Sequence, residues 1–579
     1  MKFSAIFILL LICNITFLAN GNILIKEVYY YARPNRNNEY ICIINTGEDT
    51  SLEGWYITID PSKDFSEQRK ILLPDIVIGK GEKIYLTQNG TSFKMETCFE
   101  ANFEWNDCSY LPDLKKSGNF VLSNSGGVIC LKDKLNNTVD VVVYGNAYFD
   151  EGWEGKSIDE VKEGVVLRRK DNIDTNTSLD WEYNRTYIIG QSDFPPFVGS
   201  ANKAIIFCSP DCSYSVIEKE IRNASEMKIN LYLFTNPFIA DLIEKSGASI
   251  KLLLDGNTVG GIPMEERYIA YNLNNSGLVR YMRGNEKEGI YKRYKYNHAK
   301  YAIIDDSKVI ITSANWGKSG IPINSSYGNR EWGIIIYDEK IASFLSIVFE
   351  YDWNPSMQDS IEFDENSFTH GKPPNDYSIS YFIPKGDYIP KFNPLVINSS
   401  FNYTVILCPD NAEEEIIKLI DSAKNRIFVE QNYIYKDWGN DLNPLLKKFI
   451  EKNESGVEVR IILDHYYYEE TKIKNEETKN FLKNIEVKLS DFLPIHNKGM
   501  IVDDKVLISS INWGENSFRS NREVGIIIES EEIAKYFEEI FWYDWNFKIE
   551  EKEEKDYKLI IIPSLFIGTF ILLYLYWRR

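Results

Sequence analysis

Two of the four histidines sit in the same local pattern. His298-Ala-Lys300 leads through an apolar run to Asp305, and Ser313-Ala-Asn315-Trp316 and Asn329-Arg330-Glu331 follow. His496-Asn-Lys498 leads likewise to Asp503, and is followed by Ser510-Ile-Asn512-Trp513 and Asn521-Arg522-Glu523. Residues two apart on a strand project to one face, so each imidazole has an ammonium beside it. An imidazole can attack phosphorus or carry a proton, and the ammonium can hold a charged oxygen. Each motif is therefore half of a phosphoryl-transfer site, and two halves brought together supply one histidine for each of two steps.

The surrounding chain is duplicated to match. Lys203-Ala-Ile-Ile-Phe-Cys-Ser-Pro-Asp211 parallels Tyr403-Thr-Val-Ile-Leu-Cys-Pro-Asp410, and each run leads into a helical pattern, at 217–224 and 416–423. An apolar strand follows in each copy (229–234 and 427–429), then a strand ending in Asp (250–255 and 457–464). Both copies close on Tyr-Asp-Trp, at Tyr351-Asp352-Trp353 and Tyr543-Asp544-Trp545. Strands alternating with helices make each copy α/β. The halves are expected at 203–360 and 403–550, joined by a breaker-rich linker at 361–402 that contains Pro373-Pro374.

The paired motif resembles the duplicated His-x-Lys-x-x-x-x-Asp signature of the phospholipase D superfamily, over about 203–547. The resemblance implies that His298 attacks phosphorus to form a phosphohistidine. His496 then protonates the leaving oxygen and activates the incoming water or alcohol. It further implies that Lys300 and Lys498 clamp the non-bridging oxygens, that Asn315 and Asn512 donate to the same phosphate, and that Glu331 and Glu523 orient the imidazoles. Asp305 and Asp503 are expected to be structural, and no metal or other cofactor is expected. The chain departs from the family pattern in three places. Thr312 stands where the family often has Gly, the interval from Asp503 to Ser510 is one residue shorter than that from Asp305 to Ser313, and neither copy continues with the Asp-x-Arg-Ser run common in cardiolipin synthases.

Ahead of these halves, 21–190 reads as short strands punctuated by Gly, Asn and Asp, the pattern of an all-β sandwich. It resembles a lamin-tail domain, an immunoglobulin-like module, through Glu27-Val28, Glu39-Tyr40-Ile41, Asn45-Thr46-Gly47, Leu52 with Gly54-Trp55, Gly126-Gly127-Val128, Asp140, Leu167-Arg168-Arg169 and Asp180-Trp181. That resemblance implies a binding or positioning module. Residues 191–203, with Pro195-Pro196, read as the connection to the first half.

Residues 1–19 have the charged start, apolar middle and small-residue exit of a secretory signal. The nineteen uncharged residues 559–577 would span about 28 Å as a helix and are followed by Arg578 and Arg579, so a single membrane anchor is expected with 21–556 outside the cell. Export permits disulfides. The candidate pairs are Cys98 with Cys108, Cys42 with Cys130, and Cys208 with Cys212, with Cys408 left over.

The 579 residues carry 65 Lys plus Arg against 85 Asp plus Glu, a net charge of −20, and 44% hydrophobic residues. This supports several cores, excludes dominant disorder and opposes nonspecific coating of polyanions. The expected substrate is a phospholipid or another phosphodiester close to the membrane. An exported endonuclease of the same superfamily is the alternative, because basic residues can be gathered in a cleft. Lys292-Arg293-Tyr294-Lys295-Tyr296, leading into His298, is the candidate run for drawing in a headgroup or a strand. A non-enzymatic surface-binding protein is a third reading, which the intact residues of both motifs oppose. His465, beside Tyr466 and Tyr468, is a candidate for the cleft mouth, and His370 is expected to be solvated.

Overall fold

The computed structural model describes residues 23–547 apart from 35, 182–184, 467 and 491. The expected signal (1–19) and membrane anchor (559–577) lie outside the described residues. Among those described, no helix is long and apolar enough to cross a membrane.

Each α/β half is built on one mixed sheet. In the first, three parallel strands (Glu226–Leu231, Ser249–Asp255, Gly277–Met282) continue into an antiparallel set made of Lys300–Ile304, Lys308–Thr312, Glu331–Tyr337 and Ala204–Ser209. The second repeats the order with Arg426–Gln431, Glu458–Asp464 and Glu486–Ser490, then Lys498–Val502, Lys505–Ser509, Glu523–Glu529 and Phe401–Cys408. The central strands are apolar runs buried on both faces, which is why they read as continuous Ile, Leu and Val rather than as alternation.

Helices Glu339–Trp353 and Glu531–Asn546 close the two copies. Asp338 and Ser530 cap their starts by accepting from backbone N–H groups. Their apolar faces join a core shared by both halves, in which Ile303, Ile334 and Phe349 belong to the same cluster as Phe428, Ile526 and Phe541.

Both expected connections turn out to be structural. Phe197–Ala201, directly before the first half, pairs with Phe401–Cys408 in the second half's sheet. Reciprocally, Leu395–Ile397, directly before the second half, pairs with Ala204–Ser209 in the first half's sheet. Each half thus lends an edge strand to the other. The stretch expected as a linker also adds Ser360–Glu362 to the first sheet. It is pinned further along, where Arg267 donates to the carbonyls of Gly371 and Lys372.

The N-terminal module is a sandwich of a six-stranded and a five-stranded sheet around one apolar core. Trp105, Trp153 and Trp181 are buried there, whereas Trp55 is only half-buried against it. Asp140, Arg169, Asp180 and Trp181, noted separately in the sequence, come together: Arg169 pairs with Asp140 at 2.7 Å and lies 4.9 Å from the Trp181 ring.

None of the candidate disulfides forms; the described cysteines are free. Cys42 packs on one face of the six-stranded sheet with Tyr29 and Phe93, while Cys130 lies in the core on the other side. Cys98 faces Met357 and Asn354 of the first half, and Cys108 is exposed. Cys212 turns its thiol to the Cys208 carbonyl at the start of a helix.

Candidate active site

His298 and His496 each sit just ahead of a central strand, held there by the opposite half. The His298 N–H donates to the Arg522 carbonyl (2.8 Å) and the His496 N–H donates to the Arg330 carbonyl (3.2 Å). The wiring of the side chains is crossed in the same way. His298 Nδ1 lies 2.8 Å from Glu523 Oε2, and His496 Nδ1 lies 2.7 Å from Glu331 Oε1. Each glutamate starts a strand of the half that does not carry its histidine. Each is in turn fixed by its own serine: Ser313 Oγ donates to Glu331 and Ser510 Oγ to Glu523, both at 2.6 Å. Asn329 and Asn521 add a second hydrogen bond to these carboxyls. A histidine whose Nδ1 hydrogen is held by a carboxylate presents Nε2 to the reaction.

Lys300 and Lys498 are fully buried, and each ammonium donates back to the carbonyl of its own histidine. Burial lowers Lys300 to about 7 and Lys498 to about 8, opposed by the charges of Glu523 and Glu331. Burial likewise pushes Glu523 up to about 8, opposed first by Lys300 and by the hydrogen bonds it accepts. His298 falls well below the usual imidazole range, through burial and then the charges of Lys300, Lys498 and His496. His496 is lowered by burial, with Glu331 pulling the other way. The half-sites therefore act on each other as one electrostatic unit.

Asn315 and Asn512 occupy equivalent places, each followed by a tryptophan that bridges to the segment after the first parallel strand (Phe234 with Trp316, Ile434 with Trp513). The side-chain oxygen of each is buried and has no hydrogen-bond partner among the described residues; as an acceptor it cannot bond a phosphate oxygen, so the part open to each amide toward a phosphate is donation from Nδ2. The one-residue difference ahead of Asn512 is absorbed in the strand turn. Ile304 pairs with Lys308 in the first copy and Val502 with Lys505 in the second, so the register beyond is the same. Asp305 and Asp503 lie at these turns, away from the histidines. They accept backbone N–H groups at the start of the neighbouring strand, from Ser225 and Glu226 and from Lys424, Asn425 and Arg426.

Several supporting residues were not singled out from the sequence. Arg330 and Arg522, the middle residues of Asn-Arg-Glu, are completely buried. Arg522 pairs with Asp352 of the first Tyr-Asp-Trp and with Asp410, and Arg330 pairs with Asp544 of the second and with Asp211. The repeated Cys-(Ser)-Pro-Asp and Tyr-Asp-Trp runs were visible as repeats, and their aspartates supply these carboxylates. Tyr232 was missed: its ring lies 4.7 Å from that of His298, and the Lys300 ammonium sits 5.5 Å from its centre. No such ring is found beside His496 among the described residues. His465 turns to Glu476 (2.9 Å) and His370 packs near Tyr281, so neither joins the site. Of the run at 292–296, Arg293 and Tyr294 are buried in ion pairing and hydrogen bonding with Asp359 and Arg522, which leaves Lys292, Lys295 and Tyr296 for the surface.

A family model described as "Cardiolipin synthase, PLD-like domain" matches residues 217–353 and 416–545. A cardiolipin synthase of Clostridium perfringens (strain SM101 / Type A) is 25% identical over 415 residues, covering 66% of this chain and 75% of that protein. The DISARM protein DrmC of Bacillus paralicheniformis is 28% identical over 145 residues, covering 22% of this chain and 59% of that protein. Among solved structures, a phosphatidylserine synthase of Haemophilus influenzae Rd KW20 aligns with 63% of this chain and 94% of its own, at 14% identity and a TM-score of 0.41.

Proposed function

We propose that the chain, whose two α/β halves match a PLD-like domain model over 217–353 and 416–545, is a phospholipase D-type phosphodiesterase or transferase that acts on phospholipid at a membrane surface through a phosphohistidine. The observation that carries this reading is the crossed pair of carboxylate-held histidines, with a buried lysine beside each. In the first step His298 Nε2 attacks phosphorus, the bond to the leaving oxygen breaks, and His496 gives that oxygen its proton. In the second step water or an alcohol gives its proton to His496 and attacks the same phosphorus, releasing His298. Lys300 and Lys498 hold the non-bridging oxygens as charge grows on them, and Asn315 and Asn512 complete the hydrogen bonding.

His298 is assigned the attack because the superfamily that the two motifs resemble more often uses the first motif's histidine; burial and the charges of Lys300 and Lys498 lower it, which keeps the His298 imidazole neutral. Phospholipid is favoured over nucleic acid by the named cardiolipin synthase relative and by the net charge of −20. The run at 559–577 and the leader at 1–19 support an outward-facing, membrane-tethered enzyme. The two-sheet module, with Asp140, Arg169, Asp180 and Trp181 assembled in it, is read as the lamin-tail-like, immunoglobulin-like domain.

The test is to incubate the protein with mixed phospholipid vesicles and a primary alcohol, with and without a chelator. A phosphatidyl alcohol formed by the wild type in both conditions, and absent with His298→Asn, is expected. Cleavage of single-stranded DNA in place of any lipid product would transfer the assignment to a nuclease.

A further inference from the structure

The β-sandwich is docked against the catalytic unit rather than strung beside it. Gln191 Nε2 donates to the Arg293 carbonyl (2.7 Å), Arg36 donates to the Gly289 carbonyl and to Gln358, and Arg33 lies 4.8 Å from the centre of the Tyr291 ring. Arg522, whose carbonyl holds His298, also donates to Ser192 in the connection directly after the module. Between the module and the two halves this docking leaves a cavity of about 1200 Å³.

The wall of that cavity is basic in a chain of net charge −20. Lys162 comes from the module, and Lys287, Lys292 and Lys295 come from the first half. Lys162, Lys287 and Lys295 form no ion pair or side-chain hydrogen bond among the described residues. The facing acids are Glu160, Glu163 and Glu286, and Arg33 and Arg519 add further cations, Arg519 already paired with Glu413. Unpaired cations gathered in a concavity raise the local concentration of an anion.

One residue of the wall leads toward the reaction site. Tyr296 lines the cavity, its ring sits 6.1 Å from that of Tyr232, and Tyr232 lies 4.7 Å from the His298 ring. The Tyr296 carbonyl accepts from Arg522 N, one link from the bond that holds His298.

We propose that this cavity is a substrate subsite which binds a second phosphate, carried on the headgroup or acceptor beyond the phosphodiester that reacts, and that the β-sandwich supplies one of its walls. The inference rests on the phosphodiesterase reading and adds to it what the substrate carries: an anionic, phosphate-bearing group rather than a neutral or cationic one.

The probes are two soluble substrates, the p-nitrophenyl phosphodiester of glycerol with and without a phosphate on the far hydroxyl. The full chain is expected to prefer the doubly phosphorylated compound in kcat/KM at least tenfold, with the preference shrinking as salt is raised. Lys162→Glu, Lys287→Glu and Lys295→Glu together should abolish that preference through KM. Lys115→Glu, on an exposed strand connection of the module away from the cavity, should leave it intact; the Lys→Gln triple serves if charge reversal impairs folding. Phosphatidylglycerol phosphate in vesicles, compared with phosphatidylcholine, then shows whether the same preference holds for a lipid headgroup or only for the soluble phosphate. Turnover of both compounds with a ratio that the triple substitution leaves unchanged would overturn the subsite while keeping the enzyme reading. No turnover of either compound would overturn both.

Discussion

The crossed carboxylates make a prediction that separates the two chemical steps. Glu523→Gln keeps the shape of the side chain, but the amide has one acceptor oxygen where Glu523 offers one to Ser510 and another to Asn521. At 2.8 Å from Nδ1 it also cannot take up the negative charge that answers the positive charge His298 gains on attack. A hydrogen bond to a charged group contributes about 1.5–3 kcal/mol, so the attack by His298 should slow by about 10- to 100-fold. Glu331→Gln removes the equivalent charge from beside His496, at 2.7 Å. With bis(p-nitrophenyl) phosphate the leaving phenolate needs no proton, so His496 matters only in the second step. Rapid-mixing kinetics should therefore show a weakened burst of nitrophenolate in Glu523→Gln. Glu331→Gln should keep its burst, turn over slowly and accumulate acid-labile phosphohistidine. A burst lost in Glu331→Gln and kept in Glu523→Gln would move the nucleophile to His496. Losses below about threefold in both would refute the orienting role altogether.

Three further outcomes follow from the geometry. Lys300 and Lys498 are lowered by burial to about 7 and about 8, so their charged forms disappear as pH rises through that range; the inhibition constant of sulfate, whose own charge is fixed, should climb above pH 8, and a flat value from pH 6 to 9 would take the lysines out of anion binding. Asp352→Ala leaves completely buried Arg522 with one fewer carboxylate, which should cost about 3–5 kcal/mol in thermal unfolding and lower activity with it, because the Arg522 backbone holds His298. Gly499→Ala would place a methyl 2.3 Å from a Trp332 ring carbon and should destabilise by about 1–3 kcal/mol; an unchanged unfolding temperature would mean that the indole yields freely.

What the sequence made legible was whatever repeats. The His-x-Lys pairs, the Ser-x-Asn and Asn-Arg-Glu followers and the α/β order are local patterns written twice, and the structure places their residues at equivalent positions in two sheets. Partner choice between the copies was not legible. Nothing in Asn521-Arg-Glu523 says that its glutamate serves His298 rather than His496, because that depends on how two sheets pack. The edge strands Phe197–Ala201 and Leu395–Ile397 were read as linkers for the same reason. Short segments beside prolines carry little pattern of their own, and their pairing is decided by the half they reach. Tyr232 was invisible as a site residue because a tyrosine after an apolar strand is ordinary core or rim until His298 is seen beside it. The cysteine pairs failed on geometry that spacing does not encode, with Cys42 and Cys130 on opposite sides of a sheet.

The exchange of parts between the halves also constrains how the site can arise. Each half carries a histidine, a lysine and a glutamate, yet its own glutamate is committed to the other half's imidazole, and its buried arginine is neutralised in part by the other half's Tyr-Asp-Trp aspartate. A half folded alone would hold an unoriented histidine, an arginine missing one carboxylate and a sheet missing an edge strand. Leaving a buried charge without its partner is strongly unfavourable, so docking of the halves and assembly of the site are one event. The segment directly after the β-sandwich belongs to that event as well, because Ser192 bonds both Arg522 and Asp410. Its removal would strip a hydrogen bond from the same arginine whose carbonyl positions His298, which ties the connection from the module that walls the basic cavity to the geometry of the nucleophile.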